Sequence, residues 1–213
     1  MMTATLTPAP TQQLTLYDVS WETYEQLLSA FGERPIKLNY SHGILEIMIM
    51  SYQHERYKSL IARLIETLTE EMNMPIASAG STTLKKKKLA RGLEPDECFY
   101  LQNETAVRGK KEINLQYDPP PDLAIEIDIT SCSVSRMSIY HAFGVLEVWR
   151  FDGTRLEFYQ WSDSGYGLVE FSPAFPQLQA SDLMPFIELT ETSDNTTVFR
   201  QFRAWVKKNL SSE

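Results

Sequence analysis

The stretch PDLAIEIDIT, residues 121–130, decides the fold. Side chains alternate across a strand, so Leu123, Ile125, Ile127 and Ile129 fall on one face and Asp122, Ala124, Glu126 and Asp128 on the other. One face is wholly apolar and the other carries three carboxylates. Alone, such a strand also suits an antiparallel sheet with its outer face in water. Its surroundings point elsewhere. The Ser-rich loop TSCSVS, residues 130–135, leads into a helix near Arg136 to Phe143 that Gly144 stops, and VLEVWRF, residues 145–151, follows as an apolar strand. That order sets the acidic strand inside a sheet with cover on both sides. Three carboxylates there repel one another unless a cation offsets them, and a hard divalent cation such as Mg²⁺ takes oxygen ligands of this kind.

Outward from that strand, Ser20 is a plausible cap for a helix whose apolar positions are Trp21, Tyr24, Leu27, Leu28 and Phe31, closed by Gly32. Ile36, Leu38 and Tyr40 alternate with polar residues, His42-Gly43 supplies a turn, and Ile44 to Met50 returns as a second strand. From about Gln53 to Met72 the residues Tyr57, Leu60, Ile61, Leu64, Ile65, Leu68 and Met72 mark one face of a long helix. Short strands are expected in PIASAG, STTLKKKK and PDECFYL, a hairpin joins residues 145–151 to 155–161 through Asp152-Gly153, and a last helix starts near Asn195. Helices and strands are interspersed, which describes an α/β sandwich with a mixed β-sheet flanked by helices. Residues 1–13, rich in Thr, Pro and Ala, are expected as a flexible arm and 14–213 as a single domain.

The chain has 213 residues and a formal net charge of −8. That balance excludes a protein that coats nucleic acid by bulk electrostatics, because such binding needs Lys and Arg to neutralise phosphates. No apolar run reaches the roughly 18–20 residues needed to cross a bilayer, so no membrane partner is expected. Cys98 and Cys132 are too few for a disulfide framework and lack zinc or redox spacing. The opening MMTATLTPAPTQQ lacks the basic start and apolar core of a signal peptide, so a cytoplasmic location is expected. No GxGxxG or P-loop pattern occurs.

A second acidic fragment, GLEPDECFY, residues 92–100, sets Asp96 after a proline at the start of a strand. Alone, Pro-Asp is common turn chemistry. Together with HGILEIM, QHERYKSLIARLIETL, PPPDLAIEIDIT, IYHAFGVLEVWRFDG and the terminal helix, it resembles the PD-(D/E)xK superfamily of restriction-endonuclease-like nucleases. Within it, the chain is most similar to a restriction-endonuclease family especially abundant in cyanobacteria. The likeness covers most of the chain; as an ordered set these fragments are specific, whereas each alone is weak. It implies a restriction-endonuclease-like core, Asp96 as the motif's Asp and Glu126 as its second acid. The motif lysine would follow Glu126 by two, where Asp128 stands instead. A basic group from another element would have to replace it, with Lys85 to Lys88, Arg91 and Arg136 as candidates. The superfamily also often supplies an acid from the long helix, nominally Glu55. At 100° per residue, however, His54 aligns with Ile61 and Leu68 on the inner flank while Glu55 points away. His54 is therefore either a packing histidine or a ligand or base.

The run KKKKLAR, residues 85–91, carries five positive charges and no acid. It reads either as a solvated strand edge or as a patch contacting phosphates through Lys85, Lys86, Lys87, Lys88 and Arg91. The expected function is a metal-dependent DNA endonuclease in which Asp96, Glu126 and Asp128 hold Mg²⁺ or Mn²⁺, with His54 and Glu55 as further catalytic candidates. A homodimer is expected by analogy. The rival is a catalytically silent binding or scaffold protein that keeps the fold without the lysine.

Overall fold

The structure, a computed structural model, describes residues 12–32, 34, 36–129 and 135–210. Its elements run β1 (Gln12–Leu16), α1 (Trp21–Phe31), β2 (Ile36–Ser41), β3 (Ile44–Ile49), α2 (Tyr52–Glu71), β4 (Ala77–Ser78), β5 (Leu84–Lys86), β6 (Arg91–Leu93), β7 (Glu97–Tyr100), α3 (Glu104–Val107), β8 (Leu123–Ile127), α4 (Arg136–Phe143), β9 (Glu147–Phe151), β10 (Leu156–Ser162), β11 (Gly165–Val169), α5 (Ala180–Leu189) and α6 (Asn195–Asn209). They build two sheets. The first, in the order β1-β3-β2-β6-β5, is antiparallel throughout. The second, in the order β11-β10-β9-β8-β7-β4, is mixed, because β8 and β9 are parallel. A parallel pair needs a crossover, and α4 provides it.

The acidic strand β8 is buried along its whole length. Leu123, Ile125 and Ile127 join the largest core cluster, with the inner face of α2 and with Phe202 and Val206 of α6. On the other face Ala124 packs with Ile139, Tyr140 and Phe143 of α4. A strand covered on both sides has no water to solvate its acids, so Glu126 must find partners within the protein.

The first sheet has two unlike faces. Leu38, Tyr40 and Leu45 pack against Trp21 and Tyr24 of α1, with the Tyr24 and Tyr40 rings stacked at 4.9 Å. On the alternate positions Lys37, Asn39 and Glu46 are buried as well, and Asn39 Nδ2 donates to Glu46 Oε2 at 3.1 Å.

Several details differ from the sequence reading. The expected mixed sheet flanked by helices is present, and a second, antiparallel sheet stands beside it because GLEPDECFY is split: β6 belongs to the first sheet and β7 to the second, with Glu94-Pro95-Asp96 crossing between them. β1 starts at Gln12, so the last two residues expected in the arm are strand; the rest of that arm lies outside the described residues. β8 stops at Ile127 rather than Ile129. The β9–β10 connection is a four-residue loop, 152–155, rather than a two-residue turn. Asp152 stabilises it, accepting from Thr154 N and Arg155 N, both at 2.8 Å. Cys98 is buried, whereas Cys132 and most of the Ser-rich loop lie outside the described residues.

Candidate active site

Asp96 sits where the chain changes sheets. The β7–β8 register pairs Glu97 with Ile125, so one step further sets Asp96 opposite Glu126. Asp96 is completely buried, and Ile127 N donates to its Oδ2 at 2.6 Å. Lys37 reaches over from β2: its ammonium bonds Asp96 Oδ1 and donates to Pro95 O at 2.7 Å. His54, in the first turn of α2, places Nε2 3.0 Å from Asp96 Oδ2. That turn is fixed by Ser51, whose hydroxyl accepts from His54 N at 3.2 Å. Burial alone would raise the Asp96 pKa, but the Lys37 ammonium, His54 and Arg136 outweigh it and hold the carboxyl far below its usual range. His54 is also buried, which by itself lowers its pKa; Asp96 on one side and Glu55 on the other, 3.3 Å from Nδ1, overcome this and raise it.

Glu126 is almost wholly buried. Tyr140 donates its hydroxyl to Oε1, and Arg136 pairs with Oε2. Arg136 is the first residue of α4, and its guanidinium spans the site: Nη1 also lies 3.8 Å from Asp96 Oδ2, and Nη2 lies 3.7 Å from Asp128 Oδ1. Burial, reinforced by the Asp96 charge and opposed by Arg136 and Tyr140, leaves the Glu126 carboxyl pushed up to about 7. Asp128 is less enclosed and accepts from Arg150 of β9 at 2.8 and 3.0 Å.

The structure thus brings together Asp96, Glu126, Asp128 and His54, with Glu55 half-exposed behind the histidine. Of the basic candidates it places Arg136 among the acids. Lys85 and Lys87 instead pair with Glu25 and Glu22 of α1, at 2.9 and 3.0 Å. Lys86 lies over the Phe143 ring, and Arg91 donates to Ser138 O at 2.9 Å. β5 is the border strand of the first sheet, where lysines guard an unpaired edge. Asp122, on the acidic face by alternation, is a local staple that accepts from Leu101 N at 2.7 Å and Asn103 N at 2.9 Å. Two participants went unnoticed in the sequence, Lys37 and the Tyr140 hydroxyl. The sequence did place Lys37 and Asn39 on the strand face opposite Ile36, Leu38 and Tyr40, and such a polar row beside an acidic site was the available signal.

The family profile described as "Putative restriction endonuclease" matches residues 21–192. The chain belongs to this family, Uma2. The matched span contains Lys37, His54, Asp96, Glu126, Asp128 and Arg136, so the whole constellation is inside the Uma2 region. No curated protein sequence matches the chain. At the coarse level, Uma2 membership supports a nuclease, and restriction-endonuclease-like proteins generally use divalent metals.

Whether this Uma2 chain suits such an ion can be judged from its donors. Among the described residues no three His, Cys, Asp or Glu side chains form a ready metal cluster. Asp96 Oδ2 and Glu126 Oε2 nevertheless both approach one positively charged atom, Arg136 Nη1. Two carboxylates converging on one cation are a hard-oxygen donor pair of the kind that suffices for Mg²⁺. The donors fit, with a guanidinium nitrogen standing between them.

Proposed function

We propose that the chain is a metal-dependent phosphodiesterase that cuts DNA internally. The observation that carries this reading is the meeting of Asp96 and Glu126, from different strands, on Arg136 Nη1, with Lys37 and His54 closing over Asp96. Asp96, Glu126 and Asp128 are the residues that would hold Mg²⁺ or Mn²⁺, which supplies Lewis-acid activation of the phosphoryl group and of water. Lys37 provides the basic group that the acidic strand lacks and fixes the orientation of Asp96. Arg136 offsets negative charge that develops on the phosphoryl oxygens. His54, whose pKa Asp96 and Glu55 raise against the effect of burial, links Asp96 to Glu55 at the surface and gives a route for protons. The reading extends to a cytoplasmic homodimer in which Lys85 to Lys88 and Arg91 touch DNA phosphates once the exposed Lys85 and Lys87 exchange their α1 carboxylates for phosphate oxygens.

Nicking of supercoiled plasmid in Mn²⁺ tests the chemistry. The wild type should nick, while Asp96→Ala and Glu126→Ala, checked for folding by thermal melting, should each lose at least about 100-fold. Activity that survives both substitutions overturns the assignment.

One observation favours a second reading, a silent scaffold. Every oxygen of Asp96 and Glu126 already faces a donor or cation of the protein itself. Calorimetry with Mn²⁺ separates the two, since a scaffold needs no affinity for the ion.

A further inference from the structure

A recess of about 400 Å³ opens beside Lys37, between the start of β2 and the first turns of α2. Its charged lining is Arg34, Lys37, Lys58, Glu55 and Glu94. The acids are already engaged. Glu94 accepts from Leu38 N at 3.0 Å and from Thr83 Oγ1 at 2.8 Å. Glu55 faces His54 with one oxygen and Lys58, at 3.7 Å, with the other. The donors are not used up. Among the described residues the exposed Arg34 side chain makes no hydrogen bond or ion pair. Among the described residues Lys58 likewise has only its long contact to Glu55. An ammonium carries three donors, and Lys37 uses two of them on Pro95 O and Asp96 Oδ1. The recess therefore offers surplus N–H groups and positive charge, and few free acceptors. That chemistry selects an anion with several acceptor oxygens.

We propose that this recess seats a backbone phosphate of a nucleic-acid strand, held by Arg34 and Lys58 with Lys37 at its inner end. None of Asp96, Glu126 and Asp128 lines it. The phosphate bound there is thus a neighbour of the one attacked, and Lys37 is shared between the two positions. The ligand class rests on the phosphodiesterase reading, and the geometry adds where the strand is gripped. The lysine run at the edge of the first sheet differs, since two of its members are already paired to α1 acids.

The test measures binding of the full chain to a 5′-labelled duplex by fluorescence anisotropy in EDTA, across a KCl series. Arg34→Ala and Lys58→Gln should each weaken binding to different sequences alike and reduce the salt slope by about one. Arg200→Ala, which removes an exposed charge on α6, should leave the slope unchanged. Slopes of both recess variants equal to wild type, or a wild type that binds no duplex, overturn the proposal. A duplex without and with a terminal 5′-phosphate should give the same slope difference; dependence on the terminal phosphate would replace a backbone phosphate by a strand end and overturn it as stated. Plasmid nicking in Mn²⁺ is run beside it. Loss of slope without wild-type nicking keeps the recess and removes the hydrolase, whereas nicking with unchanged slopes does the reverse.

Discussion

At the residue scale, the site is a set of buried charges whose partners decide their protonation. His54 has a pKa raised above its ordinary 6.5 by Asp96 and Glu55 against the effect of burial. A cation favoured by the fold stabilises it fully below the unfolded pKa, and that contribution is lost as pH rises through the folded value. The melting-temperature advantage of wild type over His54→Gln should therefore be larger at pH 6 than at pH 9. An advantage that is the same at both pH values would show that the fold does not raise the His54 pKa. Arg136 gives a second prediction. Its Nη1 stands between Asp96 and Glu126, so an incoming divalent cation must displace it. Arg136→Gln should bind Mn²⁺ about 10-fold or more tightly than wild type by calorimetry, while plasmid nicking falls because the charge on the phosphoryl oxygens is no longer offset. Unchanged or weaker Mn²⁺ affinity would mean that the ion and the guanidinium do not compete.

At the scale of elements, the switch between sheets depends on how closely β6 packs under α1. Gly92 faces Tyr24, and a methyl group added there would overlap the tyrosine hydroxyl and ring. Tyr24 cannot swing away, because it is fully buried and stacked on Tyr40 with Trp21 at its edge. Gly92→Ala should cost about 1–3 kcal/mol by overpacking, read as a lower urea midpoint at unchanged slope; a midpoint equal to wild type would show that the ring has room. β6 is also where the sequence was hardest to read. α1, α2, α4 and α6 were legible because apolar residues recur at helical spacing and because Ser20, Gly32 and Gly144 mark ends. β8 was legible from its alternation, and with it the acids Glu126 and Asp128. β6 has three residues and α3 four, too short for any period to show. β11 has glycine at two of its five positions and only Tyr166 and Leu168 on one face, too few for an alternation to stand out. Pro95 read as the lead-in to one strand, whereas it lies in a crossing between two sheets, a long-range feature that local patterning does not encode. Lys37 was missed for the same reason. The alternation in IKLNYS shows Lys37 and Asn39 on one face, but not that this face meets a buried carboxylate of the other sheet.

At the scale of the molecule, the Lys37–Asp96 pair joins the two sheets: the lysine is on β2 of the first and the aspartate heads β7 of the second. Both side chains are shielded from water, so the pair differs from an exposed ion pair, which contributes about 0–1 kcal/mol. Taking one partner from a buried pair leaves the other charge uncompensated, at a cost of roughly 3–5 kcal/mol. For Asp96 part of that cost is relieved, because His54 and Ile127 N remain on Oδ2. Lys37→Met should thus fall at the lower end of that range in urea unfolding. Asp96→Asn should cost stability as well, since the Lys37 ammonium then loses its counter-ion in a nearly closed space. The double substitution Lys37→Met with Asp96→Asn leaves neither charge stranded, so its loss should be smaller than the sum of the single losses by at least about 1 kcal/mol. Strict additivity would mean that the sheets are joined by their apolar packing alone. Lys37 would then sit over Asp96 for its chemistry and not for the fold.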